Sequence, residues 1–277
     1  MSVPAKFAAA AIAAVLSLSA AAETSSEIFV DLKLDEIDYV AGERVRGVID
    51  VKNISPDTLR VGKDLPDSLV VEVFRASDMS RLDILPGPEF TAFFSLAPNK
   101  GLKLEVLLDA HYAFSEQMRY LARPVLVHGK TRYEGQFRAF DIVPGMAVGG
   151  AKQMFSNKKG FSRDFKMVKW NRRGREHIFL TAKDSDGRKW QTTDLGAMMR
   201  VTPPVVSIMP GGEVVVLHRL DPDNFVRSEF WSMPDALEFH SGVMIRDPET
   251  AAQSRVQEMY ESSGGVKPAD RPWWKFW

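Results

Sequence analysis

Along the first half of the chain, apolar side chains recur at every second position. Ile28, Val30, Leu32 and Leu34 share one parity, while Phe29, Asp31 and Lys33 take the other. That is the period of a half-buried β-strand. After the turn Ala41-Gly42-Glu43, Val45, Gly47, Ile49 and Val51 alternate with Arg44, Arg46, Asp50 and Lys52. The same reading predicts strands over 68–75, 90–96, 102–108, 118–127 and 132–143. Turn-forming stretches separate them, such as Leu85-Pro86-Gly87-Pro88, Pro98-Asn99-Lys100-Gly101 and His128-Gly129-Lys130. About seven short strands in such a length is the count of an immunoglobulin-like sandwich.

The stretch Tyr39-Val40-Ala41-Gly42-Glu43-Arg44-Val45-Arg46-Gly47-Val48-Ile49-Asp50-Val51-Lys52-Asn53 reads as an aromatic residue, Gly-Glu, an alternating strand and Asn. It resembles the opening of bacterial immunoglobulin-like domains of the macroglobulin and proteinase-inhibitor types, over residues 27–143. The resemblance implies a fold and no activity, because no bait region and no thioester Cys-Gly-Glu-Gln segment is present. More loosely, the whole arrangement is similar to exported bacterial proteins in which such a sandwich precedes a strand-rich module.

The glycine-rich run 144–150 predicts a linker, and the second half reads as hairpins. Strands are expected over 176–183 and 188–193 around Asp184-Ser185-Asp186-Gly187, over 205–209 and 213–220 around Pro210-Gly211-Gly212, and over 225–231. The rhythm is similar to propeller blades, but this length supplies too few of them for closure. Asp247-Pro248-Glu249 supplies a helix cap, and Ala252, Val256, Met259 and Tyr260 share one helical face, which predicts one short helix near 248–260. The fold class is therefore all-β in the main: an immunoglobulin-like sandwich (23–145), then a strand-rich β-hairpin module (146–263) with one short helix.

Charge sharpens the division. Residues 23–145 carry 15 basic and 20 acidic side chains and residues 146–277 carry 20 and 16, so the halves stand at −5 and +4. Near-neutrality overall argues against a dedicated nucleic-acid binder, whose phosphate contacts need a surplus of Lys and Arg. Lys6, the apolar run Phe7–Leu18 and Ala20-Ala21-Ala22 predict a cleavable leader over 1–22 and export to a periplasm or beyond. The leader's apolar run is short of the ~20 residues a spanning helix requires, and no later segment approaches that length. The chain has no cysteine, so it can form neither a disulfide nor a thiolate metal site.

Candidate chemistry is sparse. The five histidines, His111, His128, His177, His218 and His240, show no metal-ligand spacing, and neither a nucleophile elbow nor any cofactor motif occurs. His218, beside the apolar run 214–217, reads as a half-buried core histidine before it reads as a base. Asp184-Ser185-Asp186-Gly187-Arg188-Lys189-Trp190 resembles the Asp-box of sialidase-like propellers, except that Ser185 stands where the motif has Asp. It is expected to brace a hairpin.

Two segments stand out as candidate contacts. Residues 158–175 hold Lys158, Lys159, Arg172, Arg173 and Arg175 among other cations, against Asp164 alone. They offer either an anion-binding surface or the solvated face of a strand with a turn at 171–174. The tail 264–277 carries Trp273, Trp274, Phe276 and Trp277 around Lys275. Burying those aromatics would remove ~600–1,000 Å² from water, a gross gain of roughly 15–25 kcal/mol, so the tail is expected to dock on its own chain, a partner protein or a membrane interface. These features predict an exported, non-enzymatic binding or scaffolding protein of the cell envelope with an unknown partner. The alternatives are an envelope protease inhibitor or accessory factor, for which Leu85–Pro88 is the exposed loop, and a carbohydrate-binding or carbohydrate-active module built on Trp170, Trp190 and Trp231.

Overall fold

The computed structural model describes residues 27–62, 65–86 and 92–247, and it is all-β apart from one 3-10 turn at Leu108–Ala110. The first half holds β1 (Ile28–Leu34), β2 (Asp38–Val40), β3 (Arg46–Asn53), β4 (Leu59–Val61), β5 (Ser68–Arg75), β6 (Phe94–Leu96), β7 (Lys100–Leu107), β8 (Arg119–His128), β9 (Thr131–Glu134) and β10 (Arg138–Val143). Two sheets, ordered β1-β3-β7 and β2-β10-β8-β5 with β9 beside β8, face each other, and β4 pairs with β6. The alternation decides which side chains meet between them. Val30, Leu32, Ile49 and Val51 from one sheet join Leu69, Val73, Tyr120 and Phe140 from the other in a single buried cluster. The expected run 132–143 is two strands, because a Cβ at Gly135 would lie 2.7 Å from the Val30 carbonyl oxygen. Such a close backbone approach breaks the ladder there.

The second half holds β11 (Met146–Met154), β12 (Ser162–Arg172), β13 (Arg175–Asp184), β14 (Thr193–Ala197), β15 (Val205–Ile208), β16 (Glu213–Arg219), β17 (Asn224–Met233) and β18 (Ala236–Arg246). They form two antiparallel four-stranded sheets in simple sequence order, β11 to β14 and β15 to β18. Phe165, Met167, Ile178 and Leu180 of the first meet Val214, Val216 and Phe230 of the second. The stretch expected as a linker is instead strand β11, bulged at Val148, and only Pro144-Gly145 separates it from β10. Its glycines serve close packing: a Cβ at Gly150 would meet the Phe165 carbonyl oxygen at 2.5 Å. The expected strand 188–193 is largely a loop held against β13, with the Asp184 N–H donating to the Arg188 carbonyl at 2.8 Å and the Trp190 N–H to the Ala182 carbonyl at 3.0 Å, before the chain enters β14. The helix expected near 248–260 lies outside the described residues.

One charged side chain sits at the centre of the second sandwich. Arg163 of β12 is fully buried and donates through Nε to Asp184 Oδ1 at 2.6 Å. Its Nη1 donates to Ser232 Oγ at 2.8 Å and to the Ala236 carbonyl at 2.9 Å, both on the β17–β18 hairpin. Trp190 Nε1 donates to the other oxygen of Asp184 at 2.8 Å, and the indole lies between the guanidinium groups of Arg163 and Arg188. The hairpin turn is closed by Gly187 N–H donating to the Asp184 carbonyl at 2.9 Å, with Gly187 at φ +95°. The residues resembling an Asp-box thus brace a turn and terminate a buried ion pair.

The two halves meet through a second polar cluster. Arg172 donates to both oxygens of Glu43, at 2.9 and 2.7 Å, and to Asp194 Oδ2 at 2.8 Å. Thr192 reaches the 41–42 turn, its N–H donating to the Gly42 carbonyl and its hydroxyl to the Ala41 carbonyl, both at 2.8 Å. Beneath them Val40 packs with Val168 and Phe179.

Two outcomes are expected. Arg163→Met should lower stability by about 3–5 kcal/mol, since it strands Asp184 without its cation; urea denaturation of this variant and of Arg163→Met/Asp184→Asn, which should recover part of the loss, checks it. His218, on β16, is buried with neither ring nitrogen in a hydrogen bond. Burial pushes its pKa below the usual 6.5, against smaller opposing pulls from the Ala197 backbone and Asp194. The unfolded chain therefore binds the proton more readily, so this contribution is intact above the unfolded pKa of about 6.5 and falls away below it, by up to about 1.4 kcal/mol per pH unit. Urea midpoints at about pH 7.5 and about pH 5.5 should differ more for the wild type than for His218→Leu.

Candidate functional site

The structure scatters the predicted basic contacts. Lys158 and Lys159 lie exposed in the turn before β12, with Lys158 over the Phe161 ring. Arg172, Arg173 and Arg175 lie at the far end of that strand, about 33 Å away at ~3.3 Å per residue. Arg172 is enclosed by Glu43 and Asp194, so it is a joint between the halves and not a surface cation. Arg173 pairs with Glu36 at 2.9 Å and donates to the Asp35 carbonyl, and Lys169 pairs with Glu176. Arg175 remains exposed. The sequence gathers these cations, whereas the fold separates them and neutralises four of the segment, Arg163, Lys169, Arg172 and Arg173. Trp273, Trp274, Phe276 and Trp277 lie outside the described residues.

A cleft of about 320 Å³ opens at the joint, between Asp35, Glu36, Arg46, Arg172, Gln191 and Asp194. Arg172 binds Glu43 and Asp194 across it, while its buried Nε has no hydrogen-bond partner among the described residues. Tyr39 accepts from the Glu36 N–H and donates to the Arg46 carbonyl, and burial pushes its hydroxyl up to about 12, so it holds its proton. The three tryptophans named for a carbohydrate platform belong to different neighbourhoods. Trp190 is held at Asp184, Trp170 packs at the joint between the halves, and Trp231 stands on the other sheet. Among the described residues no group of three His, Asp or Glu is placed to hold a metal ion. In the 85–88 loop Ile84 and Leu85 are exposed, and residues 87–91 lie outside the described residues.

The unexplained surface is β18. It pairs with β17 alone, so its second edge faces no strand among the described residues. The β17 register sorts its side chains. Phe239 and Met244 oppose Phe230 and Val226, on the face turned toward the β11–β14 sheet, whereas Val243 and Ile245 oppose Arg227 and Phe225 on the outer face. Burial of Phe230 at 2 % exposure locates the core, yet its neighbour Phe239 is 53 % exposed and Met244 is 63 % exposed. The strand therefore overhangs the sheet that should cover it. Val243, at 51 %, and Ile245, at 38 %, are open on the other face.

The guards of the β18 edge are few, exposed Glu238 and Arg246 near its ends and the bulge at His240. Long edge strands are commonly blunted by lysine, proline or charges. The edge strand β7 in the first half is so protected, with Lys100, Lys103 and Glu105 exposed. Between Ala236 and Arg246 there is no lysine or proline, and the one irregularity is a bulge between Phe239 and Ser241. Alternation in the sequence did not reveal β18, because that bulge inverts the parity midway and Val243-Met244-Ile245 then reads as an apolar run.

No protein-family model matches the chain, and no curated protein matches it. Among solved structures, the sporulation control protein Spo0M from Bacillus subtilis aligns with 85 % of this chain and 97 % of its own at 11 % identity. The TM-score of 0.29 transfers neither fold nor function. No helix among the described residues is long and apolar enough to cross a membrane.

Because β18 side chains at 243 and 245 touch solvent rather than core, Val243→Lys/Ile245→Lys should change stability by no more than about 0.5 kcal/mol per site. A urea midpoint close to the wild type's checks this, and it separates surface from core before any binding assay.

Proposed function

We propose that this chain is an exported, non-enzymatic binding or scaffolding protein of the cell envelope, whose contact surface is the open edge of β18. The observation that carries the reading is a long strand whose second edge pairs with no strand among the described residues and whose apolar side chains are exposed on both faces. Such an edge accepts an extended segment as an added strand. Main-chain hydrogen bonds then supply affinity, and alternate side chains supply selectivity. The leader-like residues 1–22 support export, and the absence of cysteine suits a protein held by packing and buried ion pairs. The first half supports an immunoglobulin-like scaffold of the macroglobulin or proteinase-inhibitor type, in which Gly42-Glu43 forms the turn that reaches the second half.

The test is affinity enrichment from envelope extract with the wild type and with Val243→Lys/Ile245→Lys, both shown to be folded, and identification of the retained proteins by mass spectrometry. A specific protein retained by the wild type and depleted at least tenfold with the variant is expected. Equal retention by both would remove β18 as the contact.

A further inference from the structure

We infer that the β18 edge pairs with β18 of a second copy of this chain, antiparallel about a two-fold axis at Gly242, so that two four-stranded sheets become one of eight. The inference rests on the reading of β18 as a strand-accepting edge, and it names the partner of that edge.

The bulge decides whether such pairing is possible. A two-fold interface is isologous, so residue i of one copy meets j of the other and j meets i. Paired side chains must also share a face of the sheet. The β17 register places Leu237, Phe239, Gly242 and Met244 on the inner face of β18 and Glu238, Ser241, Val243 and Ile245 on the outer, with His240 bulged out of the count. Setting Gly242 against the Gly242 of the second copy then brings Ser241 to Val243, Phe239 to Met244 and Glu238 to Ile245. Inner meets inner and outer meets outer along the whole strand. Without the bulge the same centre would set Phe239 against Ile245, inner against outer. The irregularity thus makes the strand self-complementary.

The side chains fit that register. A Cβ at Gly242 would lie 3.4 Å from Phe239 Cζ, so each phenyl ring leans over the Gly242 of its own strand. Two glycines opposed on the axis leave the space that the two rings occupy, and Met244 of each copy closes the flank of the other's Phe239. The groups covered are the ones left 53 % and 63 % exposed on the inner face. On the outer face the two Val243 side chains lie on a diagonal across the axis, within reach of each other. Antiparallel order also lays the Glu238 end of one strand beside the Arg246 end of the other, whereas parallel order would bring like charges together. Access is open on this side of the sandwich, because β11 packs beside β15 at the opposite edge of the sheet.

Two strands of this length joined edge to edge bury on the order of 1,000 Å² in total, the lower limit for a specific interface. The dimer is therefore weak, with Kd of about 10 μM.

Sedimentation velocity of the full mature chain from about 1 μM to about 200 μM reads the association. The wild type is expected to pass from monomer to dimer across that range, whereas Val243→Lys/Ile245→Lys, once its urea midpoint matches the wild type's, stays monomeric throughout. The chain has no cysteine, so introduced thiols report the register without background. In the register centred on Gly242, positions 241 and 243 of opposite copies face each other, while two 241 sites or two 243 sites stand about 8 Å apart, beyond the reach of a disulfide. Oxidation of mixed Ser241→Cys and Val243→Cys chains should therefore give at least fivefold more disulfide dimer than either variant alone. A wild type that stays monomeric, a dimer that survives Val243→Lys/Ile245→Lys, or mixed disulfide no more abundant than self-disulfide overturns the inference. The two proposals fail separately. A monomeric wild type that still retains an extract protein in a β18-dependent way keeps the accepting edge and removes the second copy. A β18-dependent dimer with equal retention by wild type and variant keeps the second copy and removes the external partner.

Discussion

The second half of the molecule is organised by the buried guanidinium of Arg163. A charge removed from water is tolerated only when its counter-ion and its remaining protons are all met. Here Asp184 supplies the charge, and Ser232 and the carbonyls of Pro234 and Ala236 take the other N–H groups. Asp184 comes from the same sheet as Arg163, whereas the other three come from the opposite sheet. The network therefore fixes how the sheets superpose. Because two of its acceptors sit in the turn opening β18, it also fixes where that strand begins. At its other end the strand runs into buried Asp247, which accepts from Arg219 and whose N–H donates to the Asp223 carbonyl at 2.7 Å, so β18 is held at both ends while Phe239 and Met244 between them stay exposed.

The joint between the halves uses the same physics with a different purpose. Glu43 accepts from the Val40 N–H, closing the turn around Gly42, and turns both oxygens on Arg172. Gly42, at φ +85°, leaves no room for a side chain, since a Cβ would lie 2.8 Å from Thr192 Oγ1. A local turn in the first half is thus built around residues of the second. With Pro144-Gly145 as the sole spacer between β10 and β11, the polar cluster and the Val40–Phe179 contact decide how the halves meet.

Alternation made most of the first sandwich legible, because each of its long strands has one wet and one dry face. It failed where that condition failed. β11 was hidden by glycines that read as flexibility but exist for close approach to Phe165, and β18 was hidden by a bulge and by having no dry face at all. Composition located the basic segment and could not say which of its cations would be buried. Arg163 and Lys166 look equivalent in sequence; their opposite fates depend on strand parity and on Asp184, over twenty residues away. The contacts of the joint, such as Arg172 with Glu43, join positions too distant for any local pattern to reveal.

An open apolar edge poses a choice between recognition and aggregation, and concentration decides it. Between separate molecules at micromolar levels, a strand edge of weak affinity stays mostly empty and is free to pair with any exposed strand it meets. Covalent closure of the edge is not open to a chain without cysteine, and a charged guard would destroy the apolar surface on which recognition depends.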